Sequence, residues 1–373
     1  MTVRVLPVTL PSIPHVDLES LEQFDRILAA GATSMAGWRV QSVDLTGRTA
    51  ELLRLAPMGS LFLGCALAEE AESWIRDGGG LIFPTIPELP FDPYRGALYD
   101  ADELYDGLPA GYESTPDARI YAWSRQHDVR GDTGRTLAAA LHDHAVADAL
   151  AELPDDRPWV GVMGGHGIER GEATYRAAVE LGRTLARSGL TVATGGGPGA
   201  MEAANLGSLL AKYDDAEVEV ALSILAEVPS FRPSIGAWAS AGMKVRQAFP
   251  GDGGVSVPTW FYGHEPPNVF ASAIAKYFSN AQREDVLLNH ARGGIIYLPG
   301  AAGTVQEIFQ AVTPNYYGDP ATQIPMVLVG VEHWTTRLPV WPLLRGLAAG
   351  RAMEPSVHLV DSIAEAAQLV STT

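Results

Sequence analysis

Short apolar runs alternate with amphipathic helical patterns along the second half of the chain. Five runs of four to seven residues predict buried strands, because they are mostly apolar and too short for buried helices. They lie at residues 159–163, 190–193, 218–224, 294–298 and 326–329. Helical patterns occur at residues 172–188, 268–279 and 284–290, and in the stretches after Pro198 and Gly303. Strands buried on both faces and joined by helices predict a Rossmann-like α/β fold with a doubly wound parallel sheet.

The first 150 residues repeat this alternation on a smaller scale. Strands are predicted at residues 40–45, 60–65 and 80–83, and helices at residues 67–75 and 136–153. The composition changes at residues 152–158, a polar and proline-bounded segment that is typical of a domain joint. We therefore expect a smaller N-terminal α/β domain of unknown role at residues 1–153 and a Rossmann-like domain at residues 154–373.

Charge and cysteine content narrow the classes of partner. The 373 residues include 44 acidic and 26 basic side chains, which gives a net charge of -18. The negative electrostatic potential of such a protein repels polyanions, so we expect neither a nucleic-acid polymer nor an anionic membrane as a partner. Cys65 is the only cysteine, which fits a reducing, cytoplasmic location. The sequence shows no cleavable leader and no apolar run long enough to span a membrane.

Three glycine-rich turns follow predicted strands. They read Gly164-Gly165-His166-Gly167, Gly195-Gly196-Gly197-Pro198-Gly199-Ala200-Met201-Glu202 and Pro299-Gly300-Ala301-Ala302-Gly303-Thr304. The carboxyl ends of parallel strands share one edge of a sheet, so we expect these turns to lie together. A glycine-rich turn that opens a helix directs several backbone N–H groups at one point, where the helix dipole also favours an anion. The pattern predicts a site for a phosphate or a nucleotide.

A carboxylate accompanies the third turn. Glu307 lies one turn inside the following helix, where it would suit a ligand that develops positive charge during a reaction. A nicotinamide dinucleotide remains an alternative, because the second turn fits the dinucleotide fingerprint with Asp214, Asp215 or Glu217 as its acidic residue. That fingerprint follows the second strand rather than the first and leaves Glu307 unexplained. The chain has no Walker A pattern, so an ATPase is not predicted.

The motifs resemble those of one enzyme family. Pro299-Gly300-Ala301-Ala302-Gly303-Thr304-Val305-Gln306-Glu307 resembles the Pro-Gly-Gly-x-Gly-Thr-x-x-Glu signature of the LONELY GUY family. The second turn resembles that family's other glycine-rich motif, and Arg283 lies at the spacing of its catalytic arginine. Glu265-Pro266-Pro267-Asn268, with the first turn, looks closest to the large bacterial purine/pyrimidine nucleotide 5'-monophosphate nucleosidases. The resemblance covers residues 158–330, and the four motifs stand in the family's order.

The resemblance implies hydrolysis of the N-glycosidic bond of a nucleoside 5'-monophosphate, without a metal or another cofactor. Glu307 and Arg283 would be catalytic, with Arg283 holding Glu307 and lowering its pKa. His166 is a candidate for protonating the leaving base, and a loop histidine that only contacts ligand or solvent is the equal alternative. The residues implied in substrate and phosphate binding are Gly164, Gly165, His166, Gly196, Gly197, Gly199, Met201, Glu202, Asn268, Gly300, Ala301, Ala302, Gly303 and Thr304.

Two positions depart from the family pattern. Ala301 stands at the second glycine of Pro-Gly-Gly, and a positive φ there would cost alanine about 1 kcal/mol. Arg283 is followed by Glu284, whereas the small plant-type members have lysine, which predicts weaker phosphate binding or a different substrate. A nucleotide-binding regulator or carrier without catalysis is therefore a second hypothesis.

Other expectations concern assembly and metals. We expect a homodimer or a larger homo-oligomer, because members of the family build their sites near a subunit interface. His142-Asp143-His144 predicts a solvated helix face rather than a metal site, because alternate helix residues point to different faces. His264-Glu265 lacks the second histidine of a zinc motif, so no metal site is predicted. The sequence does not identify the base.

Overall fold

The chain divides into two compact units, Met1–Gly96 and Ala97–Thr373. The computed structural model describes residues 15–125, 132–154, 156–261 and 265–371. The division differs from the one expected at residue 153, because the long helix before that point packs within the second unit. Asp143 on this helix accepts hydrogen bonds from the backbone N–H groups of Phe278, at 2.9 Å, and Ser279, at 2.8 Å. The proline-bounded segment is thus a connection inside the second unit.

The first unit contains a parallel sheet of four strands that follow one another in chain order. Side chains from the sheet and from three helices form its core, in which Phe24, Val40, Phe62 and Ile75 are fully buried. Its strands are β1 (Val16–Leu18), β2 (Trp38–Gln41), β3 (Leu61–Leu63) and β4 (Leu81–Phe83), and its helices are α1 (Leu21–Ala29), α2 (Thr49–Leu52) and α3 (Glu69–Asp77).

The second unit is built on a parallel sheet of seven strands, in the order β11-β10-β9-β5-β6-β7-β8. The strands are β5 (Trp159–Met163), β6 (Thr191–Thr194), β7 (Val255–Ser256), β8 (Ala273–Ile274), β9 (Ile295–Tyr297), β10 (Met326–Val329) and β11 (Val357–Val360). Every residue of β5, β6, β9 and β10 is buried, as expected for a sheet with helices on both faces. The two sheets confirm the predicted Rossmann-like α/β class.

Helices fill the connections of the second unit. They are α4 (Ala101–Leu104), α5 (Pro116–Arg125), α6 (Thr133–Ala151), α7 (Ala173–Arg187), α8 (Ala200–Leu209), α9 (Asp215–Ala226), α10 (Ile235–Ala248), α11 (Asn280–His290), α12 (Ala302–Tyr317), α13 (Val340–Ala348) and α14 (Ile363–Ser371). A single π-helical turn, His333–Arg337, follows β10. Among the residues that the structure describes, no helix has both the length and the apolar character needed to cross a membrane.

The order of the strands creates a crevice at the centre of the sheet. β5 pairs with β6 on one side and with β9 on the other, so the chain leaves β5 and β9 in different directions. Ligands of open α/β sheets bind at such a switch point, outside the carboxyl ends of the strands. All three glycine-rich turns lie at this edge, because they follow β5, β6 and β9.

The strand predicted at residues 218–224 is wrong, because these residues belong to α9. An apolar run of seven residues fits a buried helix as well as a strand. A capping box decides the outcome: Glu217 N donates to Asp214 Oδ1, and Asp214 N donates to Glu217 Oε2, both at 2.9 Å. This pair also occupies two of the three acidic residues that the dinucleotide hypothesis needed.

The helix predicted at residues 268–279 is wrong as well. Asn268 is fully buried and caps no helix, and the segment after it contains β8. Helix α11 begins after Ser279, whose hydroxyl accepts a hydrogen bond from Gln282 N at 3.4 Å. Residues 231–258, for which no element is predicted, contain α10 and β7.

Candidate functional site

A cleft of about 750 Å³ opens at the switch point of the second unit. Turns after β5, β6 and β9 line it, together with side chains of α11 and α12. The sequence-predicted residues that line the cleft are Gly164, Gly165, His166, Gly197, Met201, Arg283, Gly300, Ala301, Ala302, Gly303, Thr304 and Glu307. The structure thus brings three separate motifs to one place. Gly196, Gly199, Glu202 and Asn268 lie outside this lining and act on the cleft indirectly.

Arg283 and Glu307 form an ion pair in the floor of the cleft. Arg283 Nη1 donates to Glu307 Oε1 at 3.1 Å, and both residues are more than 90 % buried. Two backbone carbonyls fix the rest of the guanidinium: Arg283 Nε donates to Val257 O at 2.7 Å and Nη2 to Gly195 O at 3.4 Å. The carboxylate therefore faces the cleft from a held position.

The pKa of Glu307 lies above its ordinary value. Burial raises this pKa most, and the nearby carboxylates of Glu284 and Glu265 add to the rise, whereas Arg283 lowers it. The expected lowering by Arg283 is therefore present but smaller than the effect of burial. A buried carboxylate with a raised pKa is common among groups that accept or donate a proton during catalysis.

The third turn places the start of α12 against the cleft. Ala302 and Gly303 open this helix, and the first N–H groups of any α-helix have no partner inside it. Thr304 is buried beside them and lines the cleft. A Cβ at Gly300 would lie 2.1 Å from Thr304 Oγ1, so only glycine lets the turn close over the threonine. Backbone donors and one hydroxyl thus converge on a site suited to a phosphate group.

Ala301 fits its position without strain. Its backbone has φ -120 and ψ -143, and this negative φ lies outside the left-handed region that favours glycine. Its side chain is exposed at the rim of the cleft. The cost expected for alanine at this place in the family signature does not arise, because the position does not use the left-handed region.

Glycine is required in the second turn. Gly196 has φ +77 and Gly199 has φ +74, in the region that side chains rarely adopt. A Cβ at Gly199 would also lie 2.6 Å from Gly165 O, where the second turn passes the first. At Gly195 a Cβ would meet Arg283 Nη2 at 2.2 Å. The second turn therefore packs its backbone directly against the first turn and against the arginine.

Asn268 supports the second turn from behind. Its backbone N and its Nδ2 donate to Gly196 O, at 2.7 Å and 3.1 Å. Nδ2 also donates to Asn205 Oδ1 at 3.0 Å, and Gly196 N donates to Thr194 Oγ1 at 3.0 Å. These bonds fix the peptide at Gly196, so Asn268 positions the turn and does not itself line the cleft.

Glu202 is part of a buried ion pair beneath the second turn. Arg170 Nε donates to Glu202 Oε1 at 2.9 Å, and a second nitrogen of the guanidinium also contacts that oxygen. Arg170 Nη1 donates to Trp238 O at 3.1 Å. Both side chains are almost completely buried, so Glu202 serves the packing of α8 and does not contact the cleft.

His166 lies at the mouth of the cleft. Its side chain is 58 % exposed, and its Nδ1 lies 3.1 Å from Glu265 Oε1. A second histidine lies on the opposite rim, where His333 Nε2 contacts Gly300 O at 3.0 Å. His166 is thus placed to meet a ligand, with a carboxylate to orient its ring.

The sequence missed several residues that line the cleft. They are Gly167, Ile168, Gly195, Pro258, Thr259, Glu265, Asn280, Glu284, Gln306 and His333. Glu284 and Gln306 adjoin Arg283 and Glu307 in the chain, and Glu265 begins a motif already recognised, so proximity could have indicated them. His333 carries no signal, because the fold alone brings it to Gly300.

The His142-Asp143-His144 segment does not form the expected solvated face. His142 and Asp143 are buried, and only His144 is exposed. His142 Nε2 contacts Tyr99 Oη at 2.8 Å, and its Nδ1 contacts Asp143 Oδ1 at 3.1 Å. Across the part of the chain that the structure describes, no group of histidine, cysteine and acidic residues could hold a metal ion; His264 lies outside that part.

Residues 157–215 match the model of the SLOG cluster4 family. This range contains the first two glycine-rich turns and is consistent with the resemblance inferred from the motifs. No curated protein matches the chain.

Several solved structures are similar to part of the chain at low identity. TM1055, known from an X-ray structure, is 23 % identical with a TM-score of 0.38, over 58 % of this chain and 99 % of its own. The molybdenum cofactor binding protein of Rippkaea orientalis is 17 % identical with a TM-score of 0.35, over 59 % and 98 %. The molybdenum cofactor carrier protein of Chlamydomonas reinhardtii is 18 % identical with a TM-score of 0.37, over 58 % and 97 %.

Proposed function

We propose that this protein hydrolyses the N-glycosidic bond of nucleoside 5'-monophosphates, giving a free base and ribose 5-phosphate. One observation carries the proposal: the buried pair of Arg283 and Glu307 lies in the same cleft as the opened N-terminus of α12. An anion site beside a held carboxylate suits a substrate that is negative at its phosphate and becomes positive at its sugar.

The charges of the cleft match those of the transition state. The 5'-phosphate binds the N–H groups of residues 302–304 and the hydroxyl of Thr304. The sugar then lies beside Glu307, whose carboxylate stabilises the positive charge that develops at C1' as the bond to the base breaks. Arg283 holds the carboxylate in place and contacts the phosphate or the ribose hydroxyls.

Glu307 also activates the attacking water. Burial raises its pKa towards the pH at which the reaction runs, and this makes the carboxylate a stronger base than an exposed glutamate. One proton moves from water to Glu307 as the oxygen bonds to C1'. The base leaves with the electron pair of the broken bond and takes up a proton.

His166 is the group that we assign to leaving-group protonation. It lines the cleft, and its contact with Glu265 Oε1 at 3.1 Å orients the ring. The mechanism uses no metal and no redox cofactor, because each step needs only a carboxylate, a guanidinium, an imidazole and water.

The test is release of base from a panel of AMP, GMP, IMP, CMP and UMP, followed by chromatography. Glu307→Gln keeps the size of the side chain and removes its charge, so we expect kcat to fall about 10²-fold to 10³-fold or more. Glu332→Gln, an exposed glutamate outside the cleft, is the matched control and should leave kcat unchanged. Equal rates for wild type and Glu307→Gln would reject the mechanism.

A binding protein without catalysis is the second candidate. Glu307 is already neutralised by Arg283, and burial favours its protonated form, so the cleft can hold an anionic ligand without attacking it. This hypothesis predicts nucleotide binding with no base release, and loss of binding in Arg283→Ala. Calorimetric titration of wild type and Glu307→Gln separates the two candidates.

We propose a homodimer in a reducing compartment as the working form. Cys65 is mostly buried, and burial raises the pKa of its thiol, which keeps it in the unreactive protonated form.

Sedimentation equilibrium measures the assembly directly; a monomer at all concentrations would remove the dimer from the proposal.

A further inference from the structure

A second hollow of about 1070 Å³ adjoins the cleft within the second unit. We define this aromatic groove by its four rings, Trp123, Trp260, Phe261 and Phe278. Phe278 packs between the tryptophans, with ring centroids 5.4 Å from Trp123 and 4.9 Å from Trp260. Phe261 is 50 % exposed at its edge. Trp123 and Trp260 are only 7 % and 2 % exposed, so the ring surface that the groove offers to a ligand is that of Phe261 and of the half-buried Phe278.

The tryptophans are held in fixed orientations. Trp260 Nε1 donates to the buried Asp117 Oδ1 at 2.9 Å, and Lys276 Nζ lies 4.9 Å from the centre of its ring. Arg135 lies 4.7 Å from the centre of the Trp123 ring. These contacts cover much of both tryptophan rings, so the tryptophans form a fixed support behind Phe278 and offer little ring surface of their own to a ligand.

The groove and the cleft share a polar wall. Asn280, Glu284 and Gln306 line both. Gln306 Nε2 donates to Glu284 Oε2 at 2.7 Å, and Asn280 Nδ2 donates to Glu284 Oε1 at 2.6 Å. Glu284 follows Arg283 and Gln306 precedes Glu307, so the wall stands one residue away from the catalytic pair on each helix. A group bonded to a sugar beside Glu307 can therefore pass over this wall into the groove.

We infer that the aromatic groove is the compartment of the leaving base and that it favours bicyclic purines over monocyclic pyrimidines. The inference rests on the proposed function and names its substrate class. The groove adds the rings of Phe261 and Phe278 to the surface that a base beside the cleft can contact, and a bicyclic base stacks on them over a larger area than a monocyclic base does. Helices α5 and α6, which precede the first strand of the seven-stranded sheet, supply Trp123, Ala140 and Asp143 to it. This assigns a role to part of the chain before residue 153.

Two variants test the groove with the full-length protein. Phe261→Ala removes an exposed stacking surface, and Ala140→Phe fills the groove from the exposed face of α6 without touching the cleft. Tyr317→Ala, an exposed aromatic residue that lines neither hollow, is the control. We expect wild type to prefer AMP over CMP in kcat/KM. Both groove variants should reduce that preference about tenfold, as expected for the loss of one stacking contact, and the control should keep it.

Binding of free bases separates this inference from the proposed function. Calorimetric titration with adenine and with cytosine should show tighter binding of adenine, weakened by Ala140→Phe and retained in Glu307→Gln. If no nucleotide is hydrolysed but adenine binding keeps this pattern, the groove stands and the hydrolase proposal fails. If nucleotides are hydrolysed with a preference that neither variant changes, the groove inference is overturned and the hydrolase stands. Dissociation of a dimer by Phe261→Asp with no change in adenine binding would also overturn it, because a second copy would then occupy the groove.

Discussion

Single β-carbons decide how closely the turns of the cleft approach each other. Ala301 has a negative φ and an exposed side chain at the rim of the cleft, so its methyl group causes no left-handed backbone strain. Gly199 has φ +74 and packs against Gly165 O, which leaves no room for a methyl group. The family signature marks both positions as glycine-rich, yet only the second needs glycine in this chain. A sequence pattern reports the residue type and cannot report the φ that makes it necessary.

The first prediction compares these two positions. Ala301→Gly should keep base release within about twofold of wild type, because no strain is relieved. Gly199→Ala should lower stability by about 1–3 kcal/mol, seen as a lower melting temperature, since it adds both strain and a contact with the first turn. Chromatographic assay and thermal denaturation measure the two effects. A large gain of activity in Ala301→Gly would show that the turn changes shape when the ligand binds.

The second prediction concerns pH. Glu307 acts as the ionised carboxylate, so activity should fall as the pH drops through its pKa. Burial raises that pKa, which places the acid limb of kcat/KM above the value of about 4.3 for an ordinary glutamate. Arg283 lowers the pKa, and Arg283→Gln should therefore move the limb to still higher pH while reducing the rate. If the acid limb of the pH profile does not move in Arg283→Gln, the group that titrates is not Glu307.

At the scale of helices and strands, the sequence correctly predicts those elements whose pattern of apolar residues fits only one kind of secondary structure. β5 and β10 were predicted at their observed bounds, and the predicted β9 is one residue longer at each end. The strand predicted at residues 218–224 is wrong because an apolar run fits a helix and a strand equally, and the capping box at Asp214 favours the helix. Asn268 was misassigned because its partners, Gly196 and Asn205, lie more than 60 residues away. Cleft residues contributed by such long-range contacts, such as His333, had no local signature.

The third prediction concerns the attachment of α11, which carries Arg283. Asp143 on α6 accepts hydrogen bonds from the N–H groups of Phe278 and Ser279, where α11 begins. Phe278 N and Ser279 N bond to different oxygens of Asp143, and Asp143→Asn replaces one of these oxygens by an NH2 group that cannot accept, so one of the two hydrogen bonds is lost. We expect a loss of about 1–3 kcal/mol in stability and a lower kcat with little change in KM, since the guanidinium shifts but the phosphate site remains. His144→Gln, an exposed neighbour on the same helix, is the control for urea denaturation and for kinetics. A change in KM without a change in kcat would show that Asp143 does not position Arg283.

At the scale of the whole molecule, charge sets how the substrate arrives. The net charge of -18 repels an anion such as a nucleoside monophosphate at long range, and under the proposed function the cleft attracts it only at short range through backbone donors and Arg283. The local attraction between the cleft and an anion therefore opposes the long-range electrostatic repulsion by the rest of the protein. This balance also makes a long polyanion a poor ligand, because it would feel the repulsion along its whole length.

The fourth prediction follows from this opposition. Salt screens the long-range repulsion more than the contacts inside the cleft, so kcat/KM for AMP should rise between about 10 mM and 150 mM ionic strength. An enzyme that attracts its substrate by charge shows the opposite trend. The apparent binding of the neutral base adenine should not change over the same range. A fall in kcat/KM with salt would show that local positive charge outweighs the acidic surface.

The contact between Gly195 and Arg283 has a historical consequence. Because the arginine occupies the place of a side chain at residue 195, a descendant that acquires alanine there displaces Arg283 even though the arginine codon is intact. A lineage that still depends on the reaction must keep this glycine, whereas one that has lost it is free to change either residue first. The residue at position 195 therefore indicates whether selection still maintains the reaction. It does so even in genomes that still encode Arg283 after the reaction has been lost.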